Sequence, residues 1–539
     1  MMKSFSNNVT DALSEIGARN INYRLDHKIH NWAFDFIYKN VVWPLEVRTI
    51  VDDLSSLPNI FWRVESPVWG WPHVASDGDI CISDREGLEY DTEDYVGVLG
   101  WLVTEAVHLM DYYSAKSDGD RLTEFADEIE GYFNQLGCAR VGFDEELDQN
   151  RQLYCESQYR PLPKTWKSKP VAFRLNHGTT AVSNIQQHRI NTIKVTISQL
   201  PKPNFKDSRW NSAWWEEFQS RLNCWQRKLS DDKKARGLLL NIANQYGGGL
   251  ILLHWGTENR NCGWMYIVGR QNRKYVLNRT GTDTLNRHVV VIGCGAIGSR
   301  VAEHLALAGI EKITLVDNDK FSADNLARHV LGRRSIGHFK VDALADYLVD
   351  RVPGINVESI RSRSDQLTLG VFRDSNAIIL ATGKPALERS IVRTAYKEYW
   401  KPLIISVSVE ACGLGGHSIA SQPGEKGCLE CLYIDPDTGQ KKQKFRGSFV
   451  VDGETVTRQL TGCGAFTPYS AIDATKTALL AVEQALGHKP GYARWIGCSE
   501  KALESNITPS HVHETARSSD TSLFLPEVYA HEGCSCCND

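Results

Sequence analysis

The sequence predicts an α/β fold with a mostly parallel sheet from about Asn286 to Leu486, preceded by a smaller α+β unit. Three observations carry this. After Arg287, strand-like and helix-like runs alternate, which argues for parallel strands joined by helical crossovers. Gly293, Gly295 and Gly298 form a G-x-G-x-x-G turn between the first of these strands and its helix. Far upstream, YVGVLGWLVTEAVHLMDYY (Tyr95–Tyr113) places apolar residues at helical spacing behind extended Trp- and Pro-rich segments.

Taken in order, residues 1–145 read as the α+β unit. A polar helix is expected at about Thr10–Gly17, and extended segments at Val42–Ile50 and Ile60–Val68. The helix Tyr95–Tyr113 and a second amphipathic helix, about Arg121–Leu136, follow. Residues 146–280 read as a mixed linker or interaction domain. It has a loop at PLPKTWKSKP, strands at Lys194–Leu200 and Gly249–Trp255, and helices at Trp214–Lys228 and Asp232–Gln245. From 281 to the C-terminus the pattern is clearer. HVVVIG is a buried strand, CGAIGSRVAEHLALAGI a turn into a helix, and KITLVDND the second strand. Further strands are expected at Ala377–Leu380 and Pro402–Val409, and helices at Ala386–Tyr399 and Ser470–Leu486. There is no internal repeat.

At 539 residues the chain is too long for one core, so two or three domains are expected. A net charge of −4 gives no support for bulk electrostatic binding to nucleic acid or an anionic membrane. No apolar run approaches the roughly 20 residues that span a bilayer. MMKSFSNNVTDALSE has no apolar signal core, so a cytoplasmic location is expected. In a reducing compartment the 14 cysteines are expected to be buried thiols, metal ligands or nucleophiles. Cys138, Cys155, Cys224, Cys262, Cys294, Cys412 and Cys498 read as small buried residues by default.

The glycine turn admits a phosphate close to the backbone, and the helix N-terminus behind it offers unpaired N–H groups and a positive dipole end. Asp317 ends the second strand, 19 residues after Gly298, where a carboxylate can grip a ribose hydroxyl. These features indicate a nucleotide, either NAD or ATP. The stretch DNDKFSADNLARHVLGRRSIGHFK then supplies Asn325, Arg328 and Lys340. A triphosphate needs such cations and amide donors along its length, whereas a dinucleotide is served mainly by the glycine turn.

Over roughly 200 residues, LVDNDKFSADNLARH…IGHFK resembles the signature of the ThiF/MoeB and ubiquitin-activating superfamily. The resemblance implies a Rossmann-like ThiF-type adenylation domain using ATP and Mg2+. Asp317 would bind ribose, and Asn325, Arg328 and Lys340 would contact the phosphates. One position departs from the family. Where a TDN-like turn usually supplies an Asp for magnesium, this chain reads LATGKPALER, with Lys384 near that place. Asp319 is a candidate substitute.

Cys428 and Cys431 have C-x-x-C spacing, as do Cys534 and Cys537, and two such knuckles supply four thiolates for a closed, structural Zn2+ site. Cys536 is an alternative to Cys537. Cys463 lies in TGCGAFTPYSAID, a Gly-flanked loop before a helix, where the helix dipole can lower a thiol pKa. It resembles the thioester-forming cysteine of ubiquitin-activating enzymes. Cys498 is the reserve candidate.

WPHVASDGDICISD (Trp71–Asp84) resembles, with about 100 residues around it, the active-site region of ubiquitin-conjugating enzymes. Pro72, Val74, Gly78, Ile80 and Cys81 match that pattern. His73 takes its Asn position eight residues before Cys81, and Trp71 replaces its first His. The resemblance makes Cys81 a second acyl carrier and His73 an oxyanion donor, with Asp84 or Glu86 orienting an incoming lysine. A conjugating-like domain ahead of an activating-like one resembles the bacterial fusion enzymes of CBASS antiphage operons. That implies activation of a protein C-terminus, either a cGAS-like nucleotidyltransferase or a ubiquitin-like protein. Transfer to an acceptor amine on a target protein and a homodimer are also implied, with Arg279 or Arg287 reaching a partner's ATP site. A sulfur-carrier adenylyltransferase of ThiF/MoeB type, an NAD(P)-dependent oxidoreductase and a non-enzymatic scaffold are the alternatives.

Overall fold

The computed structural model describes residues 5–66, 68–82, 88–135, 138–143, 147, 152–158, 172–177, 187–203, 209–245, 248–255, 260, 262–362, 372–459, 465–519 and 523–538. The chain forms two compact units, Met1–Arg270 and Gln271–Asp539. No helix of the described residues is long and apolar enough to cross a membrane.

The first unit opens with α1 (Phe5–Glu15), which starts earlier than the polar pattern suggests because Val9, Ala12 and Leu13 bury on one face. An antiparallel meander follows, β1 (Arg19–Asp26), β2 (Ile29–Tyr38), β3 (Val41–Thr49) and β4 (Asn59–Trp62), in that spatial order. Helix α2 (Tyr95–Ser114) packs Leu99, Leu102, Val103 and Ala106 with Trp32, Phe34, Leu45 and Val47 of the meander. The Asp94 carboxylate accepts the Gly97 N–H at 2.8 Å and so caps α2.

Between β4 and α2 the chain makes a small hairpin. Val74 and Ile80 pair across it and bury in the core, and Cys81 N–H donates to the His73 carbonyl at 2.8 Å. Gly78 closes the turn at φ +90°, and its carbonyl accepts Trp62 N–H at 2.8 Å. A Cβ there would stand 2.1 Å from the Trp62 carbonyl oxygen.

Beyond α3 (Asp118–Phe125) and α4 (Ile129–Gln135), the unit holds a second sheet. Its strands are β5 (Ala139–Phe143), β6 (Leu153–Gln158), β7 (Ala172–His177), β8 (Gln187–Val195), β9 (Arg209–Trp210), β10 (Gly237–Ile242), β11 (Gly249–His254) and β12 (Gly263–Arg270). Their order is β11-β10-β8-β6-β7-β5-β12-β9, and β11 also pairs with β12, so the ladder closes on itself. Trp210, Trp214, Trp215, Phe218 and Trp255 gather in the core beside this sheet.

Four expectations are corrected by the fold, the first being the strand Lys194–Leu200, where β8 ends at Val195 and a 3-10 turn Ile197–Gln199 follows. Asp232–Gln245 is not a helix, because GLLLNI is β10, parallel to β8 and antiparallel to β11. A short apolar run of that kind carries no period, so burial in a sheet decides it. Trp214–Lys228 splits into α5 (Ser212–Arg221) and α6 (Cys224–Ser230), since Asn223 caps α6 in a reciprocal pair with Gln226. The expected helix Arg121–Leu136 is interrupted by the 3-10 turn Ala126–Glu128, and its Leu136 lies outside the described residues. So does PLPKTWKSKP.

The second unit begins with α7 (Arg273–Asn278) and is built on one sheet. Its main elements are β13 (Leu285–Ile292), α8 (Ala296–Leu307), β14 (Ile310–Val316), α9 (Lys340–Arg351), β15 (Asn356–Ile360), β16 (Ala377–Leu380), α10 (Pro385–Lys397), β17 (Leu403–Val409) and β18 (Gly415–Ser421). After these come β19 (Arg458–Gln459), β20 (Ala465–Phe466), α11 (Ala471–Gly487), β21 (Gly491–Ile496) and β22 (Leu523–Phe524). The order is β15-β14-β13-β16-β17-β18-β21-β22. The first five strands are parallel and the last three join antiparallel, so the sheet is mixed. Val289 and Val291 pack toward α8, α9 and α11, while Val290 and Ile292 pack with α10 on the opposite face.

Chain order reverses on either side of β13, with β14 to one side and β16 to the other. In open α/β sheets such a reversal leaves a crevice at the carboxyl ends of the strands.

Replacing Gly78 by Ala should destabilise the first unit by about 2 kcal/mol or more, because the left-handed φ and the contact with Trp62 both oppose a side chain. A thermal melt of the full chain, with the transition of the first unit assigned by hydrogen exchange, measures this.

Candidate nucleotide and thiol sites

The glycine turn sits at the strand reversal. Gly293 has φ +91°, and a Cβ on it would lie 2.5 Å from the Ala381 carbonyl oxygen and 2.9 Å from Thr382 N. A Cβ on Gly298 would lie 1.8 Å from the Gly293 carbonyl oxygen, so the first turn of α8 can close on the strand only without one. Gly295 differs, since a Cβ there meets nothing within 4 Å. It is the N-cap of α8 and supplies no side-chain cap, which leaves the first N–H groups facing open space. That is an anion seat of the kind a nucleotide phosphate needs.

Asp317 Oδ2 accepts Cys294 N–H at 2.7 Å and its Oδ1 accepts Asp319 N–H at 2.8 Å, so the carboxylate is fixed at the mouth of the turn. Lys340 runs a buried stem to the same place, with Nζ 3.0 Å from Asp319 Oδ2. Asn325 Oδ1 accepts Ser322 N–H at 3.1 Å and caps a 3-10 turn, Ala323–Asn325. Arg328 donates to the Thr467 carbonyl at 3.3 Å and stacks on Tyr469, 4.6 Å from the ring centre. All the residues expected at the nucleotide therefore belong to one unit, around one strand reversal.

Two residues that motif and spacing do not single out lock this site. His329 Nδ1 accepts Leu331 N–H at 3.0 Å, so its Nε2–H donates to the Cys294 carbonyl at 2.9 Å. Burial pulls its pKa down to about 4, which keeps the ring neutral. Glu388 lies in the first turn of α10, 6% exposed, and its Oε1 accepts both Thr382 N–H at 3.1 Å and Thr382 Oγ1–H at 2.7 Å. It thereby holds the turn that packs on Gly293. Burial pushes its pKa up to about 7 against the pull of those hydrogen bonds. A cavity of about 550 Å³ adjoins this turn, lined by Glu388, Ser406, Ser408, Glu410, Tyr433 and Val450. Ser406 Oγ is buried and has no hydrogen-bond partner among the described residues.

Lys384 is exposed and offers no carboxylate. Asp319, the candidate substitute for the family's magnesium ligand, is ion-paired with Lys340. Of these two positions, Lys384 cannot supply that ligand, and Asp319 would have to leave its pair with Lys340 to do so. Arg287 donates to the Ala485 and Leu486 carbonyls at 3.3 and 2.7 Å at the end of α11. Arg279 is exposed.

The cysteines separate by environment. Cys428, Cys431, Cys534 and Cys537 bring their sulfurs within 4.8 Å of one another. Three of the separations are 4.0, 3.7 and 3.5 Å. A tetrahedron with Zn–S bonds of about 2.3 Å has edges of about 3.8 Å, so the set fits zinc. Cys536 is half-buried and stands outside it. Cys294 is fully buried, and burial together with Asp317 pushes its thiol well above the usual range, which disfavours the thiolate a nucleophile needs. Cys224, Cys262 and Cys498 are exposed, against the default expectation, because the loops and helix ends that carry them face outward. Cys81 is exposed on its hairpin with His73 across from it. Cys463, Asp84 and Glu86 lie outside the described residues. The short ladder β19–β20 brackets Cys463, and the Arg328 contact to Thr467 begins four residues after it.

Residues 270–493 match the model of the ThiF family. The ATP-dependent ubiquitin transferase-like protein Cap2 of Pseudomonas aeruginosa is 23% identical over 466 residues, covering 77% of this chain and 79% of its own. A protein of the same name from Vibrio cholerae is 27% identical over 234 residues, 41% of this chain and 39% of its own. Escherichia coli MccB in a structure with succinimide matches 47% of this chain and 66% of its own, at 19% identity and a TM-score of 0.33.

Two outcomes are expected. A raised carboxyl pKa favours the folded state below the unfolded value near 4.5, and that advantage is lost as pH rises through about 7. Glu388→Gln should therefore gain about 3 kcal/mol on the wild type between pH 4.5 and pH 8, read from urea titrations at both pH values. Metal analysis should give about one zinc per chain, falling near zero in Cys431→Ser/Cys534→Ser.

Proposed function

We propose that this Cap2-like chain, whose residues 270–493 match the ThiF family, activates the C-terminal carboxyl of a protein with ATP and conjugates it to an amine through two cysteines. The observation that carries the reading is the position of Arg328. One guanidinium joins the nucleotide residues to the segment that follows Cys463. This contact supports the reading that the acyl group is captured close to where it is activated. Similarity to Cap2 over 77% of the chain supports an extension beyond the second unit into the first.

In the first step a carboxylate oxygen attacks the α-phosphorus of ATP and pyrophosphate leaves. The open N-terminus of α8 and the cations Arg328 and Lys340 meet the phosphate charge, while Asp317 holds the ribose. The cavity beside Thr382 is where the substrate's C-terminal residues enter. In the second step Cys463 attacks the acyl carbon and AMP leaves. Cys81 then takes the acyl group by thioester exchange, and an amine of the target attacks, forming an amide and releasing the Cys81 thiolate. Zinc at Cys428, Cys431, Cys534 and Cys537 would tie the C-terminal tail to the second unit and take no part in the chemistry.

The activated protein is a cGAS-like nucleotidyltransferase or a ubiquitin-like protein, and the acceptor is a protein lysine, in the cytoplasm, with the enzyme acting as a homodimer. Mixing the chain with ATP and the products of neighbouring genes should give a reductant-sensitive band shift on a gel. Cys81→Ala should lose the final conjugate but keep a thioester on Cys463. Cys463→Ala should keep ATP–pyrophosphate exchange, and a normal Cys81 thioester in that variant would overturn the order of transfer.

A further inference from the structure

Glu128 follows Cys81 by 47 residues and belongs to the 3-10 turn between α3 and α4, far from the hairpin in sequence. In the fold it grips that hairpin at two points. Its Oε2 accepts His73 N–H at 2.8 Å, and its Oε1 stands 3.0 Å from His73 Nδ1. His73 has φ +60°, a conformation that costs a non-glycine residue energy and persists only where surroundings impose it. Its carbonyl in turn accepts Cys81 N–H at 2.8 Å, which holds the two residues across the hairpin from one another. One carboxylate thus fixes both the backbone and the ring of the residue across from Cys81.

The surroundings leave this pair accessible and specific. The His73 and Glu128 side chains are 41% and 36% exposed, and Cys81 is exposed too. Tyr113 of α2 lies beside the imidazole, with ring centres 6.1 Å apart. Its hydroxyl is pushed up to about 12 by burial and by Glu124 of α3, so it stays neutral. Lys116 is paired with Glu124 and not with Glu128. Asparagine, the residue of conjugating enzymes at the place of His73, has no ring nitrogen for a carboxylate to orient.

We propose that Glu128 is a positioning residue of the Cys81 centre, acting through His73 so that the imidazole Nε2 takes the proton of the attacking amine. This rests on the reading of Cys81 as an acyl carrier. With Nδ1–H donated to Glu128, the tautomer so selected carries its lone pair on Nε2. The amine nitrogen bonds to the acyl carbon, the C–S bond breaks with its electron pair going to Cys81 sulfur, and the amine's proton passes to Nε2. The developing imidazolium is stabilised by the Glu128 carboxylate.

A double-mutant cycle on the full chain tests it. Cys81 is loaded by exchange with a Gly-Gly 2-mercaptoethanesulfonate thioester, and its discharge to free lysine is followed by mass spectrometry at Cys81. Glu128→Gln should slow discharge by about tenfold, and Glu128→Asp, which keeps the charge, should recover part of the rate. In a His73→Asn background, which keeps the backbone N–H, Glu128→Gln should change the rate less than about twofold. Equal slowing in both backgrounds would mean that Glu128 serves only the backbone, and no slowing in either would remove it altogether; both overturn the proposal. If Cys81 takes up no acyl group, the carrier reading itself falls and the role of Glu128 with it.

Discussion

The second unit depends on the absence of two Cβ atoms. Gly293 must turn with positive φ directly under the Ala381–Thr382 backbone, and Gly298 must let the first turn of α8 close on the Gly293 carbonyl. Any side chain at either place would push the helix N-terminus off the end of β13. The seat for phosphate, the line of Asp317 to the Cys294 amide, and the packing of β16 beside β13 all follow from that contact. Glu388 belongs to the same constraint from the other side, since its carboxyl ties down Thr382. It does so at the expense of burying an acid, a local cost that fixes the turn packed on Gly293.

The cysteines illustrate how surroundings divide one residue type among different tasks. Cys294 adjoins the phosphate seat, yet burial and a neighbouring carboxylate disfavour its thiolate. The four knuckle cysteines form a closed, half-to-fully buried set that suits a structural ion. Cys81 combines exposure with an imidazole and carboxylate held at its own hairpin. Proximity to the glycine turn is therefore a poor guide to which thiol is suited to react, and local solvation and charge are better ones.

Much of the second unit is legible in the amino-acid pattern. Period and length place β16, β17, α10 and α11 within a residue or two and β13, α8 and β14 within about three, because buried strands and amphipathic helices write their own repeat into the chain. The first unit is less legible. GLLLNI could be helix or strand on its own, and the break at Asn223 depends on a cap that outweighs helical continuity. Exposure of Cys224, Cys262 and Cys498 leaves no mark in the pattern either, since one residue in a loop carries no period.

The sequence by itself determined the features that backbone sterics and spacing enforce locally: the glycine turn, the acid at the end of β14, the two C-x-x-C knuckles and the cysteine hairpin with His73 opposite. The tertiary structure decided which distant groups meet them. It brought Cys428 to Cys534 across 106 residues, Glu388 onto the Thr382 turn, Arg328 onto the segment after Cys463, and Glu128 onto His73. Local conformation is set by neighbours along the chain. Long-range pairs are set by how whole elements pack, and no short stretch of sequence carries that information.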